Sequence, residues 1–257
     1  MNHSVNRSPI SDRPDEPGGA VLPGGGKPHA EVFEEADALD LDRQPPARPE
    51  DGFGHRWRKV HRIRLVGSDL SPAQLITCWK EHFGEFWPGD NRFYGAITNL
   101  ESGELAVISV EMPGDTTLST GVILADSTED SFTLVTPKGH MLAGWLTFSA
   151  NRQAATTIAQ VEIVMRASDP IFEIGMVLVG HRRENRFWEE TLRNLAASFG
   201  VQADPETRIT REDRHYVWAN AKNVLHNSAI RNGLIRLASL PRKAADRLRQ
   251  YPADNAA

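Results

Sequence analysis

Short runs of alternating apolar and polar residues fill the middle of the chain, and this alternation predicts β-strands. In "WRKVHRIRLV", Ile63 and Leu65 alternate with arginines, as in a strand that buries one face. The runs that follow are separated by short breaks rich in turn-forming residues, such as "ESG", "PGD" and "PKG". We predict strands at residues 57–66, 92–98, 105–112, 118–125, 131–136, 142–150 and 156–166. The short gaps favour antiparallel pairing, and the lack of strand–helix alternation disfavours a Rossmann-type parallel sheet.

Two other stretches carry apolar residues at helical spacing. The first follows the first strand, where Ser71 is the predicted N-cap and Pro72 the predicted first helical residue. The second follows the last strand, with Asp169 as its N-cap and Pro170 at its start. Its apolar face continues to a predicted stop at Gly200, which makes it a long amphipathic helix. Such a helix must lay its apolar face on the sheet.

The two ends of the chain differ from the middle in composition and in charge. Residues 1–52 contain eight prolines, six glycines, eleven acidic and five basic side chains. This segment cannot bury enough apolar surface to offset its ordering entropy, so we predict that it is disordered and acidic. Residues 215–250 contain seven basic and one acidic side chain among apolar residues at helical spacing. We predict a basic amphipathic helical extension at residues 204–257 and a folded domain at residues 53–203.

The composition and the missing motifs exclude several classes of site. Cys78 is the only cysteine, which rules out an intramolecular disulfide or a multi-cysteine zinc site and favours a reducing compartment. The first residues lack a signal-peptide core, and no stretch approaches the roughly 18 apolar residues of a spanning helix, so we expect a cytoplasmic protein. The sequence has no HxxxH or HExxH pair, Walker loop, GxGxxG or GxSxG. We therefore expect neither a metal nor a cofactor.

The order of these elements resembles the helix-grip architecture of the START/SRPBCC superfamily, which includes polyketide cyclases and lipid-transfer domains. The resemblance covers roughly residues 57–200. The stretches "FTLVTPKGHMLAGWLTFSA", "IAQVEIVMRASDPIFEIGMVLVGHRRENRFWEETL" and "WANAKNVLHNSAIR" are similar to uncharacterised bacterial proteins of that superfamily. The resemblance implies an α+β fold in which a curved antiparallel sheet wraps around a long C-terminal helix. It also implies a cavity between them for an apolar or amphipathic small molecule.

Three residues are candidates for catalysis. His140 follows the "PKG" turn at the start of a strand, where it could face the cavity as a general base or a hydrogen-bond donor. It could equally be a turn-flanking histidine bonded to a nearby backbone carbonyl. Tyr94 offers a polar group if its hydroxyl points inward. Glu162 shares a strand face with Gln160 and Val164, which is the ordinary outward pattern; on a cavity face it would instead be a buried acid with a raised pKa.

The candidates for ligand binding are large apolar residues of the predicted sheet and long helix. They are Phe93, Tyr94, Val110, Trp145, Phe148, Met165, Met176 and Trp188. Aromatic residues are more often plain core than ligand contacts, but in this fold the core is also the cavity wall. On the long helix, Arg182 and Arg186 are four residues apart and could clamp an anion, or they could pair with neighbouring glutamates at the surface.

The favoured function is the binding or transport of an apolar small molecule, such as a lipid or a polyketide-like compound. Two alternatives stay open. One is a cyclase or hydrolase that acts on such a compound through His140 with Tyr94 or Glu162. The other is a membrane- or partner-docking module in which the basic residues 215–250 contact an anionic membrane surface. Nucleic acid is a less favoured partner for those residues.

Overall fold

One antiparallel sheet organises the part of the protein that the structure describes. The structure is a computed structural model and describes residues 44–112 and 116–226. The sheet has eight strands in the order β2-β3-β4-β5-β6-β7-β1-β8, and every neighbouring pair is antiparallel. The strands are β1 (Arg56–Leu65), β2 (Arg92–Phe93), β3 (Leu105–Met112), β4 (Thr116–Ser127), β5 (Ser131–Val135), β6 (Leu142–Gln153), β7 (Thr156–Ala167) and β8 (Glu206–Asp213).

The first helix, α1 (Pro72–Glu81), begins as the sequence predicts. Ser71 Oγ accepts a hydrogen bond from Gln74 N at 3.2 Å, and the Gln74 side chain accepts one from Ser71 N at 2.9 Å. This reciprocal pair satisfies two backbone donors that the start of a helix would otherwise leave free. A single 3-10 turn, Phe83–Phe86, follows α1.

The second helical region covers residues 170–198, and we call it the long helix. Asp169 caps it as predicted, because its Oδ1 accepts hydrogen bonds from the backbone N of Ile171 at 2.8 Å and of Phe172 at 3.1 Å. The helix changes its winding along its length. It consists of α2 (Pro170–Gly175), a π-helical turn (Met176–Gly180) and α3 (His181–Ser198). In the described ranges, no helix has the length and apolar character needed to cross a membrane.

Both helical regions bury apolar residues on the same face of the sheet, which we call the inner face. The alternation along β7 decides which residues take part, because Val161, Ile163 and Met165 belong to the apolar core whereas Glu162 does not. The helices add further members to this core, namely Leu75, Ile76 and Trp79 from α1 and Trp188, Leu192 and Leu195 from α3. Aromatic rings fill the space below α1, where Phe132 stacks on Phe148 with ring centroids 4.6 Å apart. Burial of this face is the dominant stabilising contribution to the fold.

Two strands differ from the prediction. The strand predicted at residues 92–98 is reduced to Arg92–Phe93, since Gly95 takes a left-handed φ of +108° and a 3-10 turn follows. The segment predicted as the start of a helical extension instead forms β8, which pairs with β1 so that Ile209 lies opposite Lys59. The stretch "TRITRED" contains three β-branched residues, Thr207, Ile209 and Thr210, and such residues favour an extended strand over a helix.

Residues at both predicted domain boundaries are packed on the sheet. Residues 44–52, which the prediction places in the disordered segment, pack against the turn between β5 and β6 and against β6 and β7. Ala47 N donates to Thr136 O at 2.7 Å, and the Cβ that Gly52 lacks would lie 2.7 Å from Arg166 Cβ. Residues 1–43 and 227–257, which carry most of the predicted acidic tail and basic extension, lie outside the described residues. An antiparallel sheet with a long helix across its inner face is the predicted α+β helix-grip fold, which is thereby confirmed.

Candidate functional site

A cavity of about 600 Å³ lies between the inner face of the sheet and the long helix. Five consecutive strands supply its floor, because their inward-facing residues alternate with outward-facing ones. The floor residues are Ile108 and Val110 on β3, Val122 on β4, Leu134 on β5, Leu146 on β6, and Ile163 and Met165 on β7. The long helix supplies the opposite wall with Phe172, Met176, Val179, Phe187 and Trp188. The cavity is therefore lined mainly by aliphatic and aromatic side chains.

The π-helical turn forms part of the helical wall. Met176, Val179 and Gly180 all border the cavity, so the wider winding lies directly against it. A Cβ at Gly180, the last residue of this turn, would lie 2.5 Å from Met176 Sδ, so a larger residue there would displace the Met176 side chain from the wall. Isolated π-helical turns in proteins are found frequently at functional sites.

His140 is the buried titratable residue of the lining, with only 6% of its surface exposed. Burial lowers the pKa of its imidazole to about 4. Leu142 N donates to Nδ1 at 3.0 Å, and the Leu142 carbonyl oxygen lies 3.1 Å from the same nitrogen. A backbone N–H can only donate, so we assign Nδ1 as the acceptor and place the proton of the neutral ring on Nε2. His140 then offers the cavity one N–H donor.

Charged residues gather where the lining reaches the protein surface. Arg183 and Glu111 face each other there, with Nη2 and Oε1 3.6 Å apart, and Asn91 Oδ1 accepts a hydrogen bond from Glu111 N at 2.8 Å. Arg186 and Glu190 also border this end of the cavity. Arg186 makes no hydrogen bond or ion pair with any residue that the structure describes. This end of the cavity is thus charged on both sides, whereas its body is apolar.

A buried ion pair lies behind the helical wall. Lys59 on β1 is fully buried, and its Nζ contacts Glu184 Oε2 at 2.5 Å and Asn185 Oδ1 at 3.0 Å. Burial raises the pKa of the Glu184 carboxyl, and the neighbouring ammonium group opposes that rise. Because a buried charge is tolerated only with a partner, the pair fixes α3 against β1. Glu184 borders the cavity, so this contact also fixes the position of the wall.

Five of the predicted ligand-binding residues border the cavity, namely Val110, Trp145, Met165, Met176 and Trp188. Trp145 lies opposite Val164 in the sheet register, which places its side chain on the outer face. Trp145 therefore contributes little of its side chain to the cavity lining. Phe93 and Phe148 lie in the aromatic core beside the cavity and contact Phe83 at centroid distances of 4.9 and 5.0 Å. Their role is to support the floor.

The structure does not bring the three catalytic candidates together. The Tyr94 hydroxyl lies 3.3 Å from Ser109 Oγ, and Ser109 lies between the lining residues of β3, hence on the outer face. Glu162 also lies on the outer face, where its carboxylate pairs with Arg58. The physical reason is the strict alternation of strand side chains, which turns the residues next to an inward-facing one away from the cavity. Only His140 remains inside.

Several lining residues were not singled out from the sequence. Ile108, Val122, Leu134 and Ile163 follow the same alternation as the predicted floor residues and could have been found from it. Trp87 comes from the loop after α1 and packs on Phe187, and no local pattern marks it. In residues 44–112 and 116–226, no group of three or more His, Cys, Asp or Glu residues is placed to hold a metal ion.

No protein-family model matches the sequence, and no curated protein matches it. Among solved structures, the chain is similar to the di-domain ARO/CYC StfQ from the steffimycin biosynthetic pathway, with 10% identity and a TM-score of 0.42 over 59% of this chain and 52% of that chain. It is similar to major latex-like protein 151 from Panax ginseng, with 10% identity and a TM-score of 0.39 over 56% of this chain and 97% of that chain. It is also similar to a protein from Arthrobacter aurescens, with 10% identity and a TM-score of 0.41 over 57% of this chain and 87% of that chain.

The chain spans about half the length of StfQ. At these identities the likeness concerns the fold alone. The antiparallel sheet and the long helix across its inner face are the helix-grip arrangement that the sequence predicts.

Proposed function

We propose that the protein binds an apolar small molecule, such as a lipid or a polyketide-like compound, in the cavity between the sheet and the long helix. The observation that carries this proposal is the cavity, with its volume of about 600 Å³ and its aliphatic and aromatic lining. Ligand sites in proteins are concave spaces of about 300–1,000 Å³ that hold few polar groups. An apolar guest gains roughly 25 cal/mol for each Å² of its surface that leaves water.

The polar groups of the cavity favour a guest that is not purely hydrocarbon. His140 offers an N–H donor within the lining, which suits a carbonyl or hydroxyl oxygen on the guest. A hydrogen bond contributes about 0.5–1.5 kcal/mol net, so a guest that supplies an acceptor to this donor is bound more tightly than one that does not. The preferred ligand is therefore an apolar body with at least one oxygen that can reach His140.

The hypothesis of a cyclase or hydrolase depends on His140 alone once Tyr94 and Glu162 are found on the outer face. An imidazole with a pKa of about 4 is unprotonated at neutral pH, but it is a weak base because its pKa lies far below the working pH. We therefore rank ligand binding ahead of catalysis.

A cavity-filling variant tests the proposal with an apolar fluorescent probe, N-phenyl-1-naphthylamine. Met176→Trp adds bulk at the wall and is expected to weaken probe binding by at least about tenfold, which corresponds to about 1.4 kcal/mol. Val177→Trp is the matched control, because Val177 is the next residue on the same turn, is 59% exposed and lies outside the lining. Equal affinities of the two folded variants and the parent protein would contradict the proposal.

Native mass spectrometry of the protein purified from its own host can then identify the guest, and His140→Gln separates binding from catalysis. We expect this variant to bind the guest more weakly because the N–H donor changes position. Full retention of binding together with loss of turnover of that compound would support the enzyme instead.

A further inference from the structure

Five large apolar side chains on the first half of the long helix are exposed to solvent. They are Ile171, Ile174, Val177, Leu178 and Val179, with exposed fractions from 48% to 71%. We call these five residues the helix patch. Most large apolar residues of a helix that grips a sheet are buried, as they are on α3. A cluster of this kind on a soluble domain marks an interaction surface.

The helix patch follows the first half of the long helix and reaches the cavity. Ile171 and Ile174 lie three residues apart on α2, Val177, Leu178 and Val179 lie on the π-helical turn, and Arg182 follows near the start of α3. Val179 belongs both to the helix patch and to the cavity lining. Exposed apolar surface therefore continues into the apolar cavity at the π-helical turn.

Two exposed arginines follow the helix patch on the same helix. Arg182 and Arg186 make no hydrogen bond or ion pair with any described residue. Of the nearby acids, Glu173 is engaged by His55 at 2.7 Å and Glu184 by Lys59. Glu190 lies four residues after Arg186 but is not paired with it. Exposed apolar side chains followed by arginines are typical of a helix that lies in a membrane interface, with the arginines at anionic headgroups.

Charge also decides among the possible occupants of the helix patch. The chain continues beyond the described part with residues 227–257, which contain six basic and two acidic side chains. That segment has the same sign as Arg182 and Arg186, so placing it on the helix patch would bring like charges together. A symmetric contact between two copies would likewise bring each arginine near its own equivalent. Residues 1–43 carry the opposite charge, with nine acidic and four basic side chains, but only nine of the 43 are large apolar residues that could cover the helix patch. An anionic lipid surface supplies both the negative charge and an apolar interior, and it also attracts the basic segment.

We propose that the helix patch docks this protein onto an anionic lipid bilayer, with Ile174 and Leu178 among the acyl chains and Arg182 and Arg186 at the headgroups. In this orientation the π-helical turn, and with it one wall of the cavity, faces the membrane. The proposal concerns a surface other than the basic residues 215–250. It goes beyond ligand binding and can be tested whatever the cavity holds.

Co-sedimentation of the full chain with vesicles tests the docking surface. The vesicles contain about three parts phosphatidylcholine to one part phosphatidylglycerol, which supplies the anionic charge. Ile174→Ser combined with Leu178→Ser is expected to lower the partition coefficient by at least about tenfold, because each buried aliphatic side chain contributes strongly to insertion. Val66→Ser is the matched control, since Val66 is 67% exposed in the loop after β1, outside the helix patch. It should bind as the parent does.

Arginine variants and analytical ultracentrifugation separate docking on lipid from the other possible uses of the helix patch. Arg182→Gln combined with Arg186→Gln should lower binding about thirtyfold on the anionic vesicles, at roughly 1 kcal/mol per arginine, and should leave binding to phosphatidylcholine vesicles unchanged. Unaltered vesicle binding of the Ile174/Leu178 variant would overturn the proposal. So would loss of binding in Arg231→Gln with Arg236→Gln while the helix-patch variant still binds. A change of oligomeric state in the helix-patch variant, seen by analytical ultracentrifugation without a change in vesicle binding, would assign the surface to a second copy instead.

Discussion

His140 links the cavity to the pH dependence of stability. Its pKa is about 4 in the folded protein and 6.5 in the unfolded chain, so the unfolded state takes up the proton first as the pH falls. Stability from the neutral ring is therefore fully present above about pH 6.5 and is lost as the pH falls towards 4. Between pH 7 and pH 5 the loss amounts to about 2 kcal/mol. His140→Gln should flatten the pH dependence of the free energy of unfolding by about that amount.

Chemical denaturation at several pH values measures this effect, and His82→Gln is the control. The His82 side chain is 42% exposed and lies at the end of α1, away from the cavity. This substitution leaves the buried ring of His140 in place, so the loss of stability that His140 causes between pH 7 and pH 5 should persist in it. Burial also lowers the pKa of His61 and of His181 to about 4, so part of the slope must remain in His140→Gln. Equal slopes for His140→Gln and the parent would show that the ring titrates freely in the folded state.

At the scale of residues, the sequence predicts the site only where the strand face is known. His140 was found because the "PKG" turn fixes the start of β6, and Met165 and Val110 were found because they are large apolar residues on predicted strands. The orientation of Tyr94 could not be predicted, because β2 ends at Phe93 and the alternation of strand side chains does not apply to the residue after it. Glu162 lies on the outer face, as the alternation along β7 favoured, and it was a catalytic candidate only for the opposite case.

At the scale of elements, two glycines that flank the π-helical turn make a matched pair for substitution. Gly175 and Gly180 both have right-handed helical backbone angles, with φ of −60°. A Cβ on Gly175 meets nothing within 4 Å, whereas one on Gly180 would lie 2.5 Å from Met176 Sδ. Gly175→Ala should therefore stabilise the protein by about 0.5–1 kcal/mol through helix propensity alone. Gly180→Ala should gain less than this, because Met176 must move from its place in the cavity wall.

Thermal unfolding and probe binding distinguish the two substitutions. We expect Gly175→Ala to keep the affinity for N-phenyl-1-naphthylamine and Gly180→Ala to change it, because only the second displaces a lining residue. If both variants gain the same stability and bind the probe alike, the contact between Gly180 and Met176 does not shape the cavity.

Elements were predicted well where their signals are local. The capping residues Ser71 and Asp169 gave the starts of both helical regions, because a cap acts within three residues of its own position. β8 was missed because its only pairing partner is β1, far away in the sequence, and a basic amphipathic context dominated the local pattern. The position of β1 between β7 and β8 also depends on pairing between strands far apart in the sequence. The alternation of apolar and polar residues within a strand carries no information about such pairing.

At the scale of the whole molecule, the two ends of the described chain hold each other against the sheet. Asn220 Nδ2 donates to the backbone oxygens of Glu50 at 2.8 Å and of Gly52 at 3.0 Å. Asn223 Nδ2 donates to Asp51 O at 2.8 Å and to Ser168 O at 3.0 Å. The residues after β8 are therefore bound to the N-terminal segment and to the start of the long helix. The predicted boundaries at residues 53 and 203 would each cut through this contact.

This mutual anchoring predicts a local loss of order when the two amides are removed. Asn220→Ala with Asn223→Ala removes four hydrogen bonds to backbone carbonyls, each with a net value of about 1 kcal/mol. Hydrogen exchange at the Phe53 and Gly54 amides, which donate to Ala167 O at 2.8 and 3.0 Å, should accelerate at least about tenfold. Asn194→Ala is the control, because Asn194 also donates to a backbone oxygen, that of Phe86, but joins α3 to the turn after α1. Since β7 supplies the acceptor at Ala167 in every case, unchanged exchange at residues 53 and 54 would mean that the sheet alone orders the N-terminal segment and that the C-terminal contact is incidental.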